Sequence, residues 1–170
     1  PHADEYQNEY LPDCNKRLMW LSGFTGSAGA AVVMKETAAI FIDGRYTLQV
    51  GAQVDNALFS YETLENGGVA KWLKANTKPG QIIGYDPRLL SPSALDTLRK
   101  AAALSGAELK ALDTNPIDEA WHDRPAAPTA KLTIQPLNHY DKASHFWTCI
   151  TDNELKILDH VIHLSSQFAD

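Results

Sequence analysis

The sequence is poor in cysteine, in long apolar runs and in positive charge. Its 170 residues include two cysteines, Cys14 and Cys149, which lie far apart and outside any CxxC pattern. We therefore expect reduced thiols and a cytoplasmic location rather than a disulfide framework. No apolar run approaches the roughly 20 residues that a membrane span requires, so no membrane partner is expected. The net charge of −6 argues against nucleic acid as a partner, because nucleic acid binds basic surfaces.

A complete catalytic motif is also missing, although one glycine-rich run raises the question. In Ser22–Gly29, which reads SGFTGSAG, glycine recurs at every third position. A phosphate-binding P-loop needs Lys and then Ser or Thr after its last glycine, whereas Ala30 follows here. The run also fails the dinucleotide fingerprint GxGxxG, and around Ser27 it is one residue too short for the nucleophile motif GxSxG. The run therefore favours a tight loop that leads into a buried strand.

Histidine and arginine supply two further candidate sites. His160 and His163 lie one helical turn apart and could bind a metal ion on one face. No HExxH motif or carboxylate cluster accompanies them, and a solvated helix face is the simpler interpretation. Arg45 follows a predicted strand, and Arg124 lies close to Trp121. A guanidinium fork at either position could hold a carboxylate, and pairing with a local aspartate is the structural alternative.

Strand and helix signals alternate from about residue 30 to residue 122, which predicts an α/β fold. Ala30–Met34 and Ala38–Ile42 predict a buried hairpin, because a polar turn separates two short apolar runs. Ser91 and Pro92 predict the start of the clearest helix, since Ser is a favoured N-cap and Pro fits the first helical position. The apolar stripe expected on this helix consists of Leu95, Leu98, Ala102 and Leu104. The other predicted helices are a short one capped by Asp13 and ended by Gly23, and helices over 45–54, 69–75 and 116–121, the last of which is capped by Asn115. The other predicted strands cover residues 58–61, 81–85 and 108–112, and the strand over 81–85 is expected to be buried.

Several segments in a fixed order give the chain a family resemblance. They are Asp4–Tyr10, Cys14–Arg17, the run SGFTGSAGAA, the run AAIFIDGRYTLQ, Gly84–Pro87 and Asn115–Pro125. On these residues the chain resembles the N-terminal domain of cytosolic-type Xaa-Pro aminopeptidases, the aminopeptidase P branch of the creatinase/prolidase metallopeptidase family. The resemblance implies a mixed β-sheet flanked by helices on both faces. It also implies that the first helix and strand of the family domain are missing from this sequence.

The resemblance and the local composition together divide the chain. We expect a creatinase-like N-terminal domain over residues 1–123. A linker is expected over 124–131, where two prolines and small residues leave little to bury. Residues 132–170 depart from the family pattern, and we interpret them as a divergent or truncated start of a second module.

The resemblance implies a role without catalysis in this chain. The parent enzymes remove an N-terminal residue that precedes proline, using two divalent metal ions, Mn or Zn, in a catalytic domain whose motifs are absent here. No cofactor is therefore expected in this chain. The expected role is to support dimerisation and to shape access to the active site, with the catalytic domain, a second subunit and peptides with proline in second position as partners. The resemblance also implies that Phe24, Thr25, Ser27 and Arg45 face substrate, and a stand-alone module that binds a small ligand or peptide is the alternative.

Overall fold

Strands and helices alternate through residues 1–129, the part of the chain that the computed structural model describes. Within these residues the α-helices are Arg17–Ser22 (α1), Thr47–Gln53 (α2), Gly68–Asn76 (α3), Pro92–Leu104 (α4) and Pro116–Ala120 (α5). The strands are Gly29–Val33 (β1), Ala38–Ile42 (β2), Ser60–Thr63 (β3), Ile82–Tyr85 (β4) and Glu108–Ala111 (β5). The predicted α/β fold class is confirmed. Residues Pro1–Pro128 form one compact unit.

Strand β2 is the centre of a three-stranded sheet in the order β1-β2-β3. It pairs antiparallel with β1, with Gly29 opposite Ile42, and parallel with β3, with Ala39 opposite Ser60. The antiparallel pair confirms the hairpin that the two apolar runs predict. Strands β4 and β5 form a separate two-stranded parallel sheet. The strands of the described residues therefore lie in two small sheets.

Side chains of β2 pack on both faces of the first sheet. Ile40 and Ile42 point to one face, into the main apolar core. The other buried members of that core are Leu18, Phe24, Val50, Val54 and Phe59. Phe41 points to the opposite face, because successive side chains of a strand alternate, and its ring meets Trp72 of α3 edge to face at 6.0 Å. Helices therefore cover both faces of this sheet, as the resemblance implied.

Helix α4 packs against β5 and α3 and begins as its sequence predicts. The Ser91 hydroxyl accepts a hydrogen bond from the Ala94 N–H at 3.3 Å, and Pro92 is the first helical residue. Ala102 is buried, but Leu104 is 69% exposed. The predicted apolar stripe is therefore wrong at its last position, because residues two apart on a helix face different sides.

Three other local predictions are wrong. Asp13 does not cap α1, which begins at Arg17, because Lys16 has a ψ of 49° and separates α1 from the 3-10 turn Asp13–Asn15. Strand β3 begins at Ser60 rather than Leu58, whose N–H closes a turn on the Asp55 carbonyl at 3.1 Å. Ile82, in the strand predicted to be buried, is 61% exposed, because it lies on the open face of the second sheet, which it shares with the exposed Glu108 and Lys110 of β5.

An ion cluster joins α1 to α5 across 101 residues of sequence. Arg17 is 5% exposed and donates from Nε and Nη2 to the two carboxylate oxygens of Asp118 at 2.6 and 2.9 Å. Arg124 approaches the same carboxylate, with Nη1 3.0 Å from Oδ2. Beside the cluster, Trp20 of α1 stacks on Trp121 with ring centroids 5.6 Å apart. The first and last helices of the described chain are thus held together by ion pairs and by aromatic stacking.

Arg124 also binds the turn that precedes α1. Its Nε donates to the Cys14 carbonyl at 2.7 Å, and Nη2 donates to Oδ1 of Asn15 at 3.2 Å. Of the two roles considered for Arg124, the structure shows pairing with a local aspartate. The linker boundaries at 124 and 131 stay a prediction, and the module predicted over 132–170 lies outside the described residues.

Asp86 is a second stabilised carboxylate near the cluster. It follows β4, and its oxygens accept hydrogen bonds from Arg88 and from the side-chain amide of Asn115. Burial acts to raise the pKa of Asp86, but these hydrogen bonds outweigh it and lower the pKa to about 2. Burial likewise acts to raise the pKa of Asp118, and the hydrogen bonds from Arg17 outweigh it and lower that pKa. Both carboxylates are therefore more readily ionised in the folded state than in the unfolded state.

We expect Asp118→Asn to lower the free energy of unfolding by about 3 kcal/mol, because it leaves the buried Arg17 guanidinium without its charge partner. The control is Asp96→Asn, which removes an exposed pair with Lys100 on α4 and should cost less than about 0.5 kcal/mol. Urea denaturation of the three proteins measures both values. Equal stability of the two variants would contradict the role assigned to the cluster.

We expect stability to fall as the pH drops from about 4 to about 2. The pKa of Asp86 falls from 3.8 to about 2 on folding, so its contribution is complete above the unfolded pKa and is lost below the folded one. That contribution is about 2 kcal/mol. Denaturation across this pH range should show a shallower loss for Asp86→Asn than for the original chain. An unchanged pH dependence in the variant would contradict the assignment to Asp86.

Candidate functional site

Gly23 sets the direction in which the chain leaves α1 and enters residues 23–28, here called the glycine loop. Its φ of +80° lies in the left-handed region, which glycine adopts without steric cost. Its N–H closes the helix on the Met19 carbonyl at 2.7 Å. A Cβ at Gly23 would lie 2.9 Å from the backbone oxygen of Gln53. The predicted helix end is confirmed, and the glycine loop runs directly against α2.

Phe24 anchors the glycine loop in the core. The residue is 1% exposed, and its ring packs edge to face on Tyr46 with centroids 5.6 Å apart. A Cβ at Gly26 would lie 2.3 Å from this ring, and one at Gly29 would lie 3.1 Å from it. The loop therefore folds closely around the ring at Gly26, and Gly29, the first residue of β1, lies against the same ring. Phe24 faces the core, and its neighbours Thr25 and Ser27 are the residues that the loop presents.

Thr25 is exposed and is held by two glutamines of α2. Its N–H donates to Oε1 of Gln53 at 3.0 Å, and the amide nitrogens of Gln49 and Gln53 each donate to Oγ1 of Thr25 at 2.9 Å. Residues four apart share one face of a helix, which places both amides beside the loop. Sequence reasoning missed these glutamines, and their spacing of four residues was the available signal.

Ser27 is half-buried and connects the glycine loop to two other segments. Its Oγ lies 3.0 Å from the hydroxyl of Tyr46, and it donates to Oε1 of Glu9 at 3.2 Å. Glu9 belongs to the N-terminal segment. Its backbone carbonyl oxygen lies 3.0 Å from Nε2 of His2 in the same segment. Ser27 therefore fixes the loop between the N-terminal segment and the turn before α2.

Arg45 lies on that turn with its side chain 73% exposed. Its Nε donates to Oδ1 of Asp43 at 2.8 Å, and this side-chain hydrogen bond lowers the pKa of Asp43. Its guanidinium carbon lies 5.6 Å from the ring centroid of Tyr46, a distance typical of a cation–π contact. Tyr46 thus contacts Phe24, Ser27 and Arg45. The structure brings these predicted residues together around a tyrosine that sequence reasoning had not assigned to the site.

The geometry decides between the chemical alternatives for the glycine loop. A strand follows it, not the helix that a dinucleotide-binding loop requires, and the Thr25 N–H is already bonded to Gln53. Within residues 1–129, no three His, Cys, Asp or Glu side chains come together in a way that could hold a metal ion. The described helices are too short or too polar to cross a membrane. The candidate pair His160 and His163 lies outside the described residues.

Comparison with known proteins assigns this domain to a family. The family described as Creatinase/Prolidase N-terminal domain matches residues 11–119, well over half of the chain. The chain belongs to that family. Its relatives include a protein named Probable Xaa-Pro aminopeptidase P from Pyrenophora teres f. teres, 35% identical over 148 residues, which cover 84% of this chain and 22% of that protein. Aminopeptidase P2 of Arabidopsis thaliana is 38% identical, with coverages of 82% and 20%. The chain thus spans about a fifth of the length of these relatives.

Solved structures support the same assignment. An X-prolyl aminopeptidase from Caenorhabditis elegans, described as a cytosolic enzyme with a di-nuclear active site, superposes with a TM-score of 0.69 at 33% identity, covering 74% of this chain and 21% of that chain. The N-terminal domain of the cytoplasmic peptidase PepQ from Mycobacterium tuberculosis H37Rv gives a TM-score of 0.50 at 26% identity, covering 62% of this chain and 79% of that one. The neighbours confirm the predicted family and fold class.

We expect Gly26→Ala to destabilise the protein by about 1–3 kcal/mol, because the added methyl group would overlap the buried Phe24 ring. The matched control is Gly51→Ala in α2, where an added Cβ meets nothing within 4 Å. That change should stabilise the helix by about 0.5–1 kcal/mol. Urea midpoints measure both effects. An unchanged midpoint for Gly26→Ala would show that the ring does not fix the loop.

Proposed function

We propose that this chain serves as the non-catalytic N-terminal domain of a Xaa-Pro aminopeptidase-like metallopeptidase, where it supports dimerisation and shapes access to the active site. The observation that carries the proposal is the glycine loop, an exposed polar edge fixed to the core by Phe24. Thr25 lies exposed at this edge with its hydroxyl held by Gln49 and Gln53. Ser27 lies behind it, and Arg45 extends from the adjoining turn. In this proposal Phe24 acts by holding the loop in place.

Arg45 is the residue best suited to bind an anionic group. Asp43 holds one edge of the guanidinium at 2.8 Å, which orients the side chain without consuming all five of its N–H donors. A guanidinium fork binds a carboxylate through two parallel hydrogen bonds. The proposed ligand of Arg45 is the C-terminal carboxylate of a short peptide substrate or an acidic side chain on the surface of the partner. Glu9, hydrogen-bonded to Ser27 at 3.2 Å, places a negative charge at the same edge.

The hydrolytic chemistry belongs elsewhere in the proposed assembly. The donor set of residues 1–129 does not fit a metal ion, so no reaction step is assigned to these residues. The parent enzyme would use two divalent metal ions, Mn or Zn, and would act in the cytoplasm on peptides with proline in second position. The description of the Caenorhabditis elegans neighbour as a cytosolic enzyme with a di-nuclear active site supports the proposed location and the proposed pair of metal ions. The glycine loop would face the catalytic cleft of the same or of a second subunit.

We expect Arg45→Ala to lower kcat/KM by about tenfold, mainly through a higher KM, if its guanidinium binds substrate. The measurement uses a chimera in which this domain replaces the segment that it matches in the Caenorhabditis elegans enzyme. The control is Arg99→Ala, the same chemical change on α4, far along the chain. The Arg99 guanidinium donates to the Tyr85 hydroxyl. Identical kinetics for the two variants would contradict a substrate-facing role for Arg45.

The isolated chain tests the non-catalytic assignment directly. With Mn²⁺ or Zn²⁺ added, it should show no turnover of a peptide whose second residue is proline, while the chimera should cleave it. Turnover by the isolated chain would overturn the assignment. A chimera that is folded but monomeric would contradict the proposed part in dimerisation. Saturable binding of the peptide by the isolated chain would instead favour the stand-alone binding module.

A further inference from the structure

A groove lies along β3 on the opposite face of the first sheet from the main core. It has a volume of about 680 Å³, and its lining includes residues from both ends of β3 and from α3. Its apolar lining includes Phe41 and Trp72, whose rings meet edge to face at 6.0 Å. Ser60 and Glu62 lie opposite Ala39 and Phe41 in the parallel ladder, so their side chains share that face of the sheet. The lining of the groove thus combines aromatic and polar side chains.

The free edge of β3 borders this groove. Strand β3 pairs with β2 on one side, and no described strand pairs with its other side. The Leu64 N–H donates to the Ile42 carbonyl at 2.9 Å, so residues 60, 62 and 64 direct their backbone groups towards β2. Alternate residues of a parallel strand direct these groups to opposite edges. Tyr61 and Thr63 therefore direct theirs to the open edge, where an added strand could pair with them.

The charges along the groove are predominantly negative. Its ionisable lining residues are Glu36, Glu62, Glu65 and Lys71. Glu36 lies in the hairpin turn at one end of β3, and Glu65 lies in the turn at the other end, so the carboxylates are spread along the strand. A strand added to β3 would place alternate side chains over the groove, because successive side chains point to opposite faces. Cationic side chains at those positions would approach the three carboxylates and the ring of Trp72.

We propose that the groove and the open edge of β3 bind an extended, basic segment of a partner polypeptide, which adds to the sheet as a further strand. Backbone hydrogen bonds to Tyr61 and Thr63 would supply affinity, and lysine or arginine side chains over the groove would supply specificity, as in other cases of strand addition. This surface lies on β3 and α3 and does not include the glycine loop. The inference therefore stands independently of the proposed aminopeptidase role.

The test uses the full chain and two six-residue peptides that alternate valine with lysine or with glutamate. Isothermal titration should show that the lysine peptide binds at least about tenfold more tightly, with affinity that falls as salt is added. A lysine peptide that is N-methylated at every residue facing β3 should lose most of its binding, since it cannot donate along that edge. The same peptide N-methylated along its outer edge should bind as before.

Reversing the charge at one position distinguishes binding at this surface from general attraction to the negative net charge of the chain. Glu62→Lys should reduce the affinity for the lysine peptide by about tenfold and narrow the difference between the two peptides. The matched control is Glu108→Lys, the same change on β5 of the other sheet, which should leave both affinities unchanged. The proposal would be overturned by equal affinities for the two peptides, by absence of saturable binding of the lysine peptide, by insensitivity to N-methylation, or by equal effects of the two substitutions.

Discussion

The carboxylate of Asp118 is the contact on which the closure of this domain depends. It receives the buried guanidinium of Arg17 from α1 and the half-buried guanidinium of Arg124 from beyond α5. Arg88 lies 3.9 Å away beside its own partner Asp86. Three distant parts of the chain therefore meet at one charge. Because burial of an unpaired arginine is costly, each of these segments requires the others to be in place. Such long-range pairing joins both ends of the unit in one cooperative structure and slows its formation.

The glycine loop is linked to this closure through α1, because Leu18, next to Arg17, belongs to the core below the loop. Phe24 reaches the same cluster of buried residues as Ile40 and Val50, and the loop backbone can follow its ring because Gly26 and Gly29 carry no side chains. Thr25 is then fixed from α2 and Ser27 from Tyr46 and Glu9. The polar edge is thus pre-organised. A ligand that binds there would pay little of the conformational entropy that a mobile loop would demand.

Features governed by local chemistry could be predicted from the sequence. The caps at Ser91 and Asn115, the left-handed turn at Gly23 and the β1-β2 hairpin all follow from a few neighbouring residues, and the structure confirms them. Features governed by distant partners could not. The exposure of Ile82 depends on whether another element covers its face of the β4-β5 sheet, and the hydrogen bonds to Thr25 depend on where α2 lies. The role of Tyr46 as the common contact of Phe24, Ser27 and Arg45 is likewise a property of the folded chain.

The stacked indoles of Trp20 and Trp121 have a consequence for spectroscopy. Their rings are 5.6 Å apart and 22° from parallel, close enough for their electronic transitions to couple, so the circular dichroism of the pair differs from that of two separated indoles. Trp72 lies against Phe41 in a different setting. The first signal exists only while α1 and the end of α5 are docked, whereas the fluorescence of Trp72 reports on the first sheet. Within residues 1–129, the stacked pair and Trp72 therefore serve as two optical probes, one for closure of the chain and one for the sheet beneath α3.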